Sequence, residues 1–301
     1  LEAVVLSVED SFNLESIIKH ENKDFKKPLF KESISKNEYI DGVKKIKQKI
    51  KEGLYYELNY CQEFKASNTV INPLQVYSKM LKNSKVPFGA FLSWKNKYLL
   101  SASPERFLKK EGLKVISQPI KGTIKRGNTK GADEVLKNEL LNSEKERAEN
   151  VMIVDLVRND LAKTCKTGTI HVQELFGIYS YTYVHQMIST IVGELRSNEK
   201  LIDVIENAFP MGSMTGAPKI EVIKNIDKLE KTARGLYSGS VGYIDPLGNF
   251  DFNVIIRSLL YDSKDKNLSY HVGGAITYDS DPELEYEECL LKAKGIRALF
   301  N

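Results

Sequence analysis

Two pairs of glutamates repeat one short spacing at distant points of the chain. Glu146 and Glu149 lie in "EKERAENVMIVDLVRNDL", and Glu285 and Glu288 lie in "DSDPELEYEECLLKAKG". Residues three apart share one side of a helix, and Lys292 extends the second face by one turn. Two facing pairs would form an oxygen-rich cage that suits Mg²⁺ and a carboxylate substrate bridged through it. The same spacing is common on solvated helix surfaces, so the spacing alone leaves both interpretations open.

Lys121 lies between a proline-isoleucine pair and a glycine-threonine pair in the segment "QPIKGTIKRG" at 118–127. Pro119 stiffens the approach, while Gly122 and Gly127 free the backbone, so Lys121 is predicted to lie at a defined bend. Such a lysine is either a solvated turn residue or a group held for chemistry. A desolvated lysine would lose its proton more easily and could act as a nucleophile.

Two glycine-containing segments could bind anions. "AFPMGSMTGAPKIEVI" places Ser213, Thr215 and free backbone amides ahead of Pro218, which opens a predicted helix. "HVGGAITYDS" offers Gly273 and Gly274 where a backbone could approach a ligand closely. Tight turns are the alternative for both segments, and neither has the spacing of a nucleotide-binding loop.

Arg257 in "NVIIRSLLY" is a lone charge within a predicted apolar strand. An unpaired charge is costly to bury, so this arginine should meet a partner or an anionic ligand.

Periodicity and turn residues predict the elements that position these side chains. Helices are expected over 36–52, 73–82, 133–163, 218–231 and 282–300, with Gly53 ending the first and Asp281 capping the last. Short alternating segments between the helices read as strands, and "NFDFNVIIRSLLYD" reads as one of them. This pattern predicts an α+β fold built on large antiparallel sheets.

Composition limits the function classes. The 301 residues are 42% hydrophobic and 28% charged with a net charge of +4, which is typical of a soluble globular protein and gives no reason to expect a nucleic-acid or membrane partner. Three distant cysteines, Cys61, Cys165 and Cys289, are expected to be reduced structural thiols. A cytoplasmic location is the expectation.

Several motifs together resemble those of the chorismate-utilising enzymes. They are "SASPERFL", "PIKGT", "AENVMIVDLVRNDL", "GSMTGAPK", "SGSVGYI", "VIIRSL" and "DSDPELEYEE". The resemblance runs from about residue 36 to the end and implies a chorismate-binding sandwich of two large antiparallel sheets with flanking helices. It also implies chorismate as substrate, Mg²⁺ as cofactor, and a glutamine amidotransferase that supplies ammonia. Lys121 stands where anthranilate synthases carry alanine, which favours the branch that exchanges the C4 hydroxyl for an amine.

The resemblance assigns roles to individual positions. Lys121 matches the nucleophile that attacks C2, and Glu105 matches the acid that protonates the departing hydroxyl. The four paired glutamates match the magnesium site. The positions expected to contact chorismate are Thr123, Gln186, Thr215, Tyr237, Arg257, Gly273, Gly274 and Lys292.

Three positions depart from the family pattern. Gln186 replaces a usual histidine, and His185 should face the opposite side of the strand. Glu57 stands where amine-adding members usually have glutamine and water-adding members have lysine, which argues against an isochorismate or salicylate synthase. Ala275 replaces a glycine, which should narrow the site slightly.

The chain is predicted to divide into a remnant of an N-terminal portion, 1–35, and a catalytic domain, 36–301. Two alternative functions remain, an anthranilate synthase component I and a non-catalytic partner-binding remnant.

Overall fold

The computed structural model describes residues 26–300. The helices are α1 Lys36–Lys51, α2 Pro73–Asn83, α3 Lys130–Asn142, α4 Glu144–Ala162, α5 Leu201–Ala208, α6 Lys219–Leu229 and α7 Pro282–Arg297. The strands are β1 Lys31–Glu32, β2 Glu57–Ala66, β3 Phe88–Trp94, β4 Lys97–Ser103, β5 Arg106–Glu111, β6 Lys114–Gln118, β7 Ile120–Lys125, β8 His171–Ser180, β9 Val184–Glu194, β10 Gly216–Ala217, β11 Gly242–Ile244, β12 Phe250–Asn253, β13 Ser258–Asp262 and β14 Asn267–Ile276.

The strands form two antiparallel sheets. Sheet 1 has the order β1-β2-β14-β13-β4-β3, with β10 also paired to β2. Sheet 2 has the order β11-β12-β5-β6-β9-β7, with β8 on the other edge of β9. The predicted α+β sandwich with flanking helices is therefore confirmed.

Each sheet has its own hydrophobic core. Helices α1, α2 and α7 bury apolar residues such as Val43, Val76 and Ala293 against sheet 1. Helices α4 and α5 bury residues such as Ile153 and Val204 against sheet 2. The three cysteines are free and buried, as expected of structural thiols. No helix within residues 26–300 is long and apolar enough to cross a membrane.

The predicted ends of two helices are confirmed. Gly53 follows α1 with a φ of 78°, and the Asp281 side chain accepts the N–H groups of Glu283 and Leu284 at the start of α7. The helical stretch predicted over 133–163 is confirmed, but it is divided at Ser143 into α3 and α4. The Ser143 hydroxyl accepts the backbone N–H of Glu146, so a capping side chain starts a new helix there.

The single strand predicted from "NFDFNVIIRSLLYD" is wrong. β12 ends at Asn253 in sheet 2, and β13 begins at Ser258 in sheet 1, so residues 254–257 cross between the sheets. Arg257 lies in this crossover with a left-handed φ of 52° and not within a strand. The predicted division of the chain into 1–35 and 36–301 stays a prediction. Residues 1–25, which belong to the first of these parts, lie outside the described residues.

Candidate active site

Lys121 lies in a bulge of strand β7. Ile120 pairs with Ile188 and Thr123 pairs with Gln186, so Lys121 and Gly122 together oppose one residue of β9. Gly122 has a φ of 92°, a conformation that favours glycine. A bulge changes the direction in which side chains point, so they no longer alternate regularly between the two faces of the sheet. The Lys121 side chain is consequently buried, with 8% of its surface exposed, rather than solvated at a bend between strands.

The buried ammonium of Lys121 pairs with Glu57, the first residue of β2. Lys121 Nζ donates to Glu57 Oε1 at 2.5 Å, and Glu57 is 1% exposed. Burial acts to lower the pKa of Lys121, but Glu57, Glu149 and Glu105 together outweigh it and raise that pKa. The surrounding carboxylates thus oppose the effect that desolvation was expected to have on this amine, whose role as a nucleophile stays a prediction.

Glu105 lies in the second crossover, between β4 and β5. The two crossovers bind each other, because Glu105 O accepts Val254 N–H at 3.0 Å and Arg257 O accepts Ala102 N–H at 3.3 Å. The Glu105 carboxyl is buried and is hydrogen-bonded to the Ser213 side chain and the Ile120 backbone. Burial raises the pKa of Glu105 to about 7. A carboxyl with this pKa can donate a proton near neutral pH.

The two glutamate pairs project from the first two turns of α4 and α7. Lys145 lies beside them, with Nζ 3.9 Å from Glu149 Oε1, and its charge acts on all four carboxylates. Burial raises the pKa of Glu149 to about 7 and also raises the pKa of Glu146 and of Glu285. The pKa of Glu288 is lowered, because the Lys292 ammonium lies 2.7 Å from it.

This carboxylate cluster has features of a cation site. Glu149 Oε1 is buried without a hydrogen-bond partner in the described part of the chain. Gly274 of β14 leaves room, since a Cβ there would lie 3.3 Å from Glu285 Oε2 and 3.6 Å from Lys292 Nζ. Among residues 26–300, however, no three acidic, histidine or cysteine side chains are grouped closely enough to ligate one ion directly. The donor set fits a hydrated Mg²⁺, which usually keeps several of its waters.

Several residues that were expected to contact the substrate already make contacts within the protein. The Arg257 side chain is half-buried, and its charge interacts with Tyr237 and Glu288 at longer range. Lys292 Nζ donates to Gly273 O at 2.8 Å as well as pairing with Glu288. The Thr215 hydroxyl is used within its own turn, where it donates to Met211 O at 2.9 Å.

Two further positions are held by neighbours. The Tyr237 ring stacks on His271 with centroids 5.1 Å apart, and its hydroxyl lies 3.6 Å from Cys61 Sγ. Gly273 packs against β2, because a Cβ there would lie 2.2 Å from Tyr60 O. Its small size therefore serves strand packing in this structure.

Gln186 and His185 have different surroundings. Gln186 is buried, and its Oε1 has no hydrogen-bond partner among the residues that the structure describes. It lies opposite Thr123, which lines an open cleft of about 480 Å³ together with Glu146. His185 Nε2 lies 2.9 Å from Asp133 Oδ1, and its Nδ1 lies 2.8 Å from the Ser180 hydroxyl. His185 thus has two hydrogen-bonding partners, whereas Gln186 has a free acceptor.

Sequence reasoning missed Lys145 and the pairing of Glu57 with Lys121. The signal for Glu57 was present, because a carboxylate in the strand "ELNYCQEFKA" must find a partner when that strand is buried. The partner lies 64 positions further along the chain, which no local pattern reveals.

Comparison with known proteins gives consistent matches. The sequence profile of chorismate binding enzymes matches residues 3–298. The chain is 43% identical over 264 residues to a probable chloroplastic aminodeoxychorismate synthase of Oryza sativa subsp. japonica, covering 87% of this chain and 29% of the relative. It is 37% identical over 274 residues to anthranilate synthase component 1 of Aquifex aeolicus, covering 90% of this chain and 55% of the relative.

A solved structure agrees with the sequence matches. Anthranilate synthase component I from Streptococcus pneumoniae superposes with a TM-score of 0.84 at 28% identity, covering 92% of this chain and 61% of the solved chain. The chain thus spans about half or less of the length of the two curated relatives.

Proposed function

Because the chain belongs to the family of chorismate binding enzymes, we propose that it is the chorismate-aminating component of an aminodeoxychorismate synthase. It would convert chorismate and ammonia to 4-amino-4-deoxychorismate, a precursor for p-aminobenzoate and folate. The observation that carries the proposal is the buried Lys121 in its bulge, with the protonatable Glu105 nearby. Relatives named aminodeoxychorismate synthase support it at 36 to 43% identity.

The proposed reaction uses the two groups in sequence. The Lys121 amine forms a bond to C2 of the ring while the ring double bond shifts and the C4–O bond breaks. Glu105 gives its proton to the departing oxygen, which leaves as water. Ammonia then forms the C4–N bond, the C2–N bond breaks, and its electron pair returns to Lys121. The new C4 ammonium gives a proton to Glu105, which restores the acid.

The remaining groups of the site bind and orient the substrate. A hydrated Mg²⁺ near Glu146, Glu149, Glu285 and Glu288 would supply positive charge for a substrate carboxylate. Arg257 would pair with an anionic group of chorismate, and Gln186 Oε1 would accept from a ring hydroxyl. Ammonia would come from a glutamine amidotransferase subunit, as in the family.

Product identification tests this function. The chain is incubated with chorismate, Mg²⁺ and an ammonium salt, and the products are separated by chromatography and weighed by mass spectrometry. We expect aminodeoxychorismate, its loss in Lys121→Ala, and its loss on chelation of the metal. Wild-type rates in Lys121→Ala would contradict the assigned chemistry.

Anthranilate synthase component I is the second candidate, since relatives with that name match the chain at 36 to 37% identity. Anthranilate and pyruvate as products would establish it. No aminated product with any of these additions would favour the non-catalytic alternative.

A further inference from the structure

Glu57 is a direct charged neighbour of Lys121 and has unused hydrogen-bonding capacity. Its Oε1 accepts from Lys121 Nζ at 2.5 Å, whereas its Oε2 is buried and has no hydrogen-bond partner among residues 26–300. A carboxylate oxygen buried without a donor is costly unless it gains a proton or a partner during function. This side chain is therefore poised to change its protonation state.

The fold fixes the position of Glu57. β10 pairs with the start of β2, with Ala217 opposite Glu57 and Gly216 opposite Leu58. Gly216 has a φ of 145°, and a Cβ on it would lie 2.0 Å from Glu57 O. A glycine is thus needed for this backbone to approach Glu57 so closely. The "TGAP" segment consequently holds Glu57 against the lysine in addition to any contact it makes with a ligand.

The charge that surrounds Lys121 comes from four separate elements. Glu57 on β2 bonds it directly, and Glu149 on α4 and Glu105 in the β4–β5 crossover stabilise its protonated form. The charge of Lys121 also acts on Glu146 on α4 and on Glu288 on α7. Among these carboxylates, Glu57 is the one for which the structure gives a direct hydrogen bond to Nζ.

We propose that Glu57 takes the proton that Lys121 must lose before it attacks, and holds that proton while the lysine is bonded to the substrate. This inference rests on the proposed function, in which Lys121 is the nucleophile. The proton passes from Nζ to Oε1, the freed lone pair forms the bond to C2, and Glu105 protonates the leaving hydroxyl. When ammonia displaces the lysine, the C4 ammonium returns a proton to Glu105 and Glu57 returns its proton to Nζ.

The proton balance of this cycle closes without exchange with bulk water. In the first half, Lys121 loses one proton to Glu57 and Glu105 loses one to the departing oxygen. In the second half both carboxyls recover their starting states, and the net change is hydroxyl for amine with release of water. The cycle therefore has a spectroscopic signature, because Glu57 is protonated in the covalent state and Glu105 is not.

Infrared difference spectroscopy of the covalent state tests the proposal. The full chain is mixed with chorismate and Mg²⁺ with ammonia withheld, and intact-mass analysis verifies the adduct. For wild type we expect the carbonyl band of one protonated carboxyl to disappear and that of another to appear, both shifting on ¹³C-glutamate labelling. In Glu57→Gln, whose side chain has nearly the same size, the adduct should form more slowly, and in the adduct that forms the appearing band should be lost and the disappearing band should remain.

Controls separate this role from a structural one. Glu63→Gln alters a partly exposed glutamate of the same strand, which accepts from Ser33 at 3.4 Å, and should leave both bands unchanged. If Glu57→Gln does not fold, Glu57→Asp keeps a carboxyl and should shift the appearing band instead of removing it. If neither substitution changes the spectrum of the adduct, the proposed role of Glu57 is overturned and the proposed function is not. Absence of an adduct in wild type, or anthranilate as product, would instead overturn the proposed function and this inference with it.

Discussion

Burial of charge decides what the individual residues of the site can do. Lys121 and Glu57 are nearly inaccessible and neutralise each other, whereas Glu105 is buried beside a serine and keeps its proton more tightly than an exposed acid. The pKa of Lys121 and that of Glu105 are both raised, but for different reasons, because carboxylates surround the lysine whereas burial dominates at the glutamate.

Removing Lys121 alone should destabilise the protein as well as inactivate it. Lys121→Ala leaves the Glu57 carboxylate buried without its cation, which costs about 3 kcal/mol in comparable pairs. The double variant Lys121→Ala with Glu57→Gln should recover most of that free energy of unfolding and remain inactive. Urea unfolding measures the stability, and Lys125→Ala, on the exposed end of the same strand, is the matched control. Equal stability of the three variants would show that the ion pair contributes nothing.

The acid role of Glu105 predicts a falling rate at alkaline pH. The group must be protonated to act, and burial raises its pKa to about 7, so it is competent below pH 7 and loses its proton above it. At saturating ammonia, kcat should fall as pH rises through about 7. Glu105→Gln should remove this pH dependence and lower kcat by roughly 10²- to 10⁴-fold.

The control for that measurement is Glu111→Gln, which changes an exposed glutamate at the end of β5. Its pH profile should match that of wild type. A rate that rises steadily across the same pH range in wild type would exclude Glu105 as the acid.

At the scale of elements, the bulge of β7 is the feature that aims Lys121. Regular pairing between β7 and β9 would keep the strict alternation of side chains. The extra residue in β7 interrupts it, and the left-handed conformation of Gly122 makes the interruption possible. The sequence could mark Lys121 as flanked by proline and glycine, but not distinguish a bulge from a bend, because that depends on the register of β9.

Substitution of Gly122 should affect activity far more than substitution of another left-handed glycine. A Cβ at Gly122 would lie 3.1 Å from Glu146 Oε2 and from Leu140 Cδ1, so Gly122→Ala should displace the carboxylate as well as strain the backbone. Gly112→Ala, in the β5–β6 turn at a φ of 58°, meets nothing within 4 Å. Both changes should cost about 1–2 kcal/mol of stability. Only Gly122→Ala should also lower kcat, which steady-state kinetics with ammonia would measure; equal kcat in the two would contradict the role of the bulge.

For the helices as well, the local sequence predicts some features, whereas others depend on residues far apart in the chain. The caps at Ser143 and Asp281 are local, so the start of α7 was predictable and the break before α4 could have been recognised from a serine followed three residues later by Glu146. The meeting of the two glutamate pairs was suggested by their spacing, but Lys145 among them was not. Which helix faces which is fixed by long-range packing.

At the scale of the whole molecule, the site lies where the chain passes between its two sheets. Glu105 and Arg257 occupy the β4–β5 and β12–β13 crossovers, which hydrogen-bond to each other through their backbones. Antiparallel sheets were predictable from the sequence, but the β12–β13 crossover was predicted as part of one strand, because apolar residues lie on both sides of Arg257. An apolar segment that leaves one core and enters another has the same composition as a buried strand.

The position of Arg257 predicts that this residue favours substrate binding but does not stabilise the folded protein. Its side chain is half-buried, and burial lowers the pKa of its guanidinium, so the folded protein holds this charge at a cost. Arg257→Met should leave the free energy of unfolding within about 0.5 kcal/mol of wild type or raise it. A hydrogen bond to a charged group contributes about 1.5–3 kcal/mol, so the KM for chorismate should rise about 10- to 100-fold.

Arg158→Met, which removes an exposed arginine paired with Asp155 on α4, is the matched control and should change neither quantity appreciably. An unchanged KM in Arg257→Met, or a large loss of stability with it, would assign Arg257 to the structure of the crossover and not to the substrate.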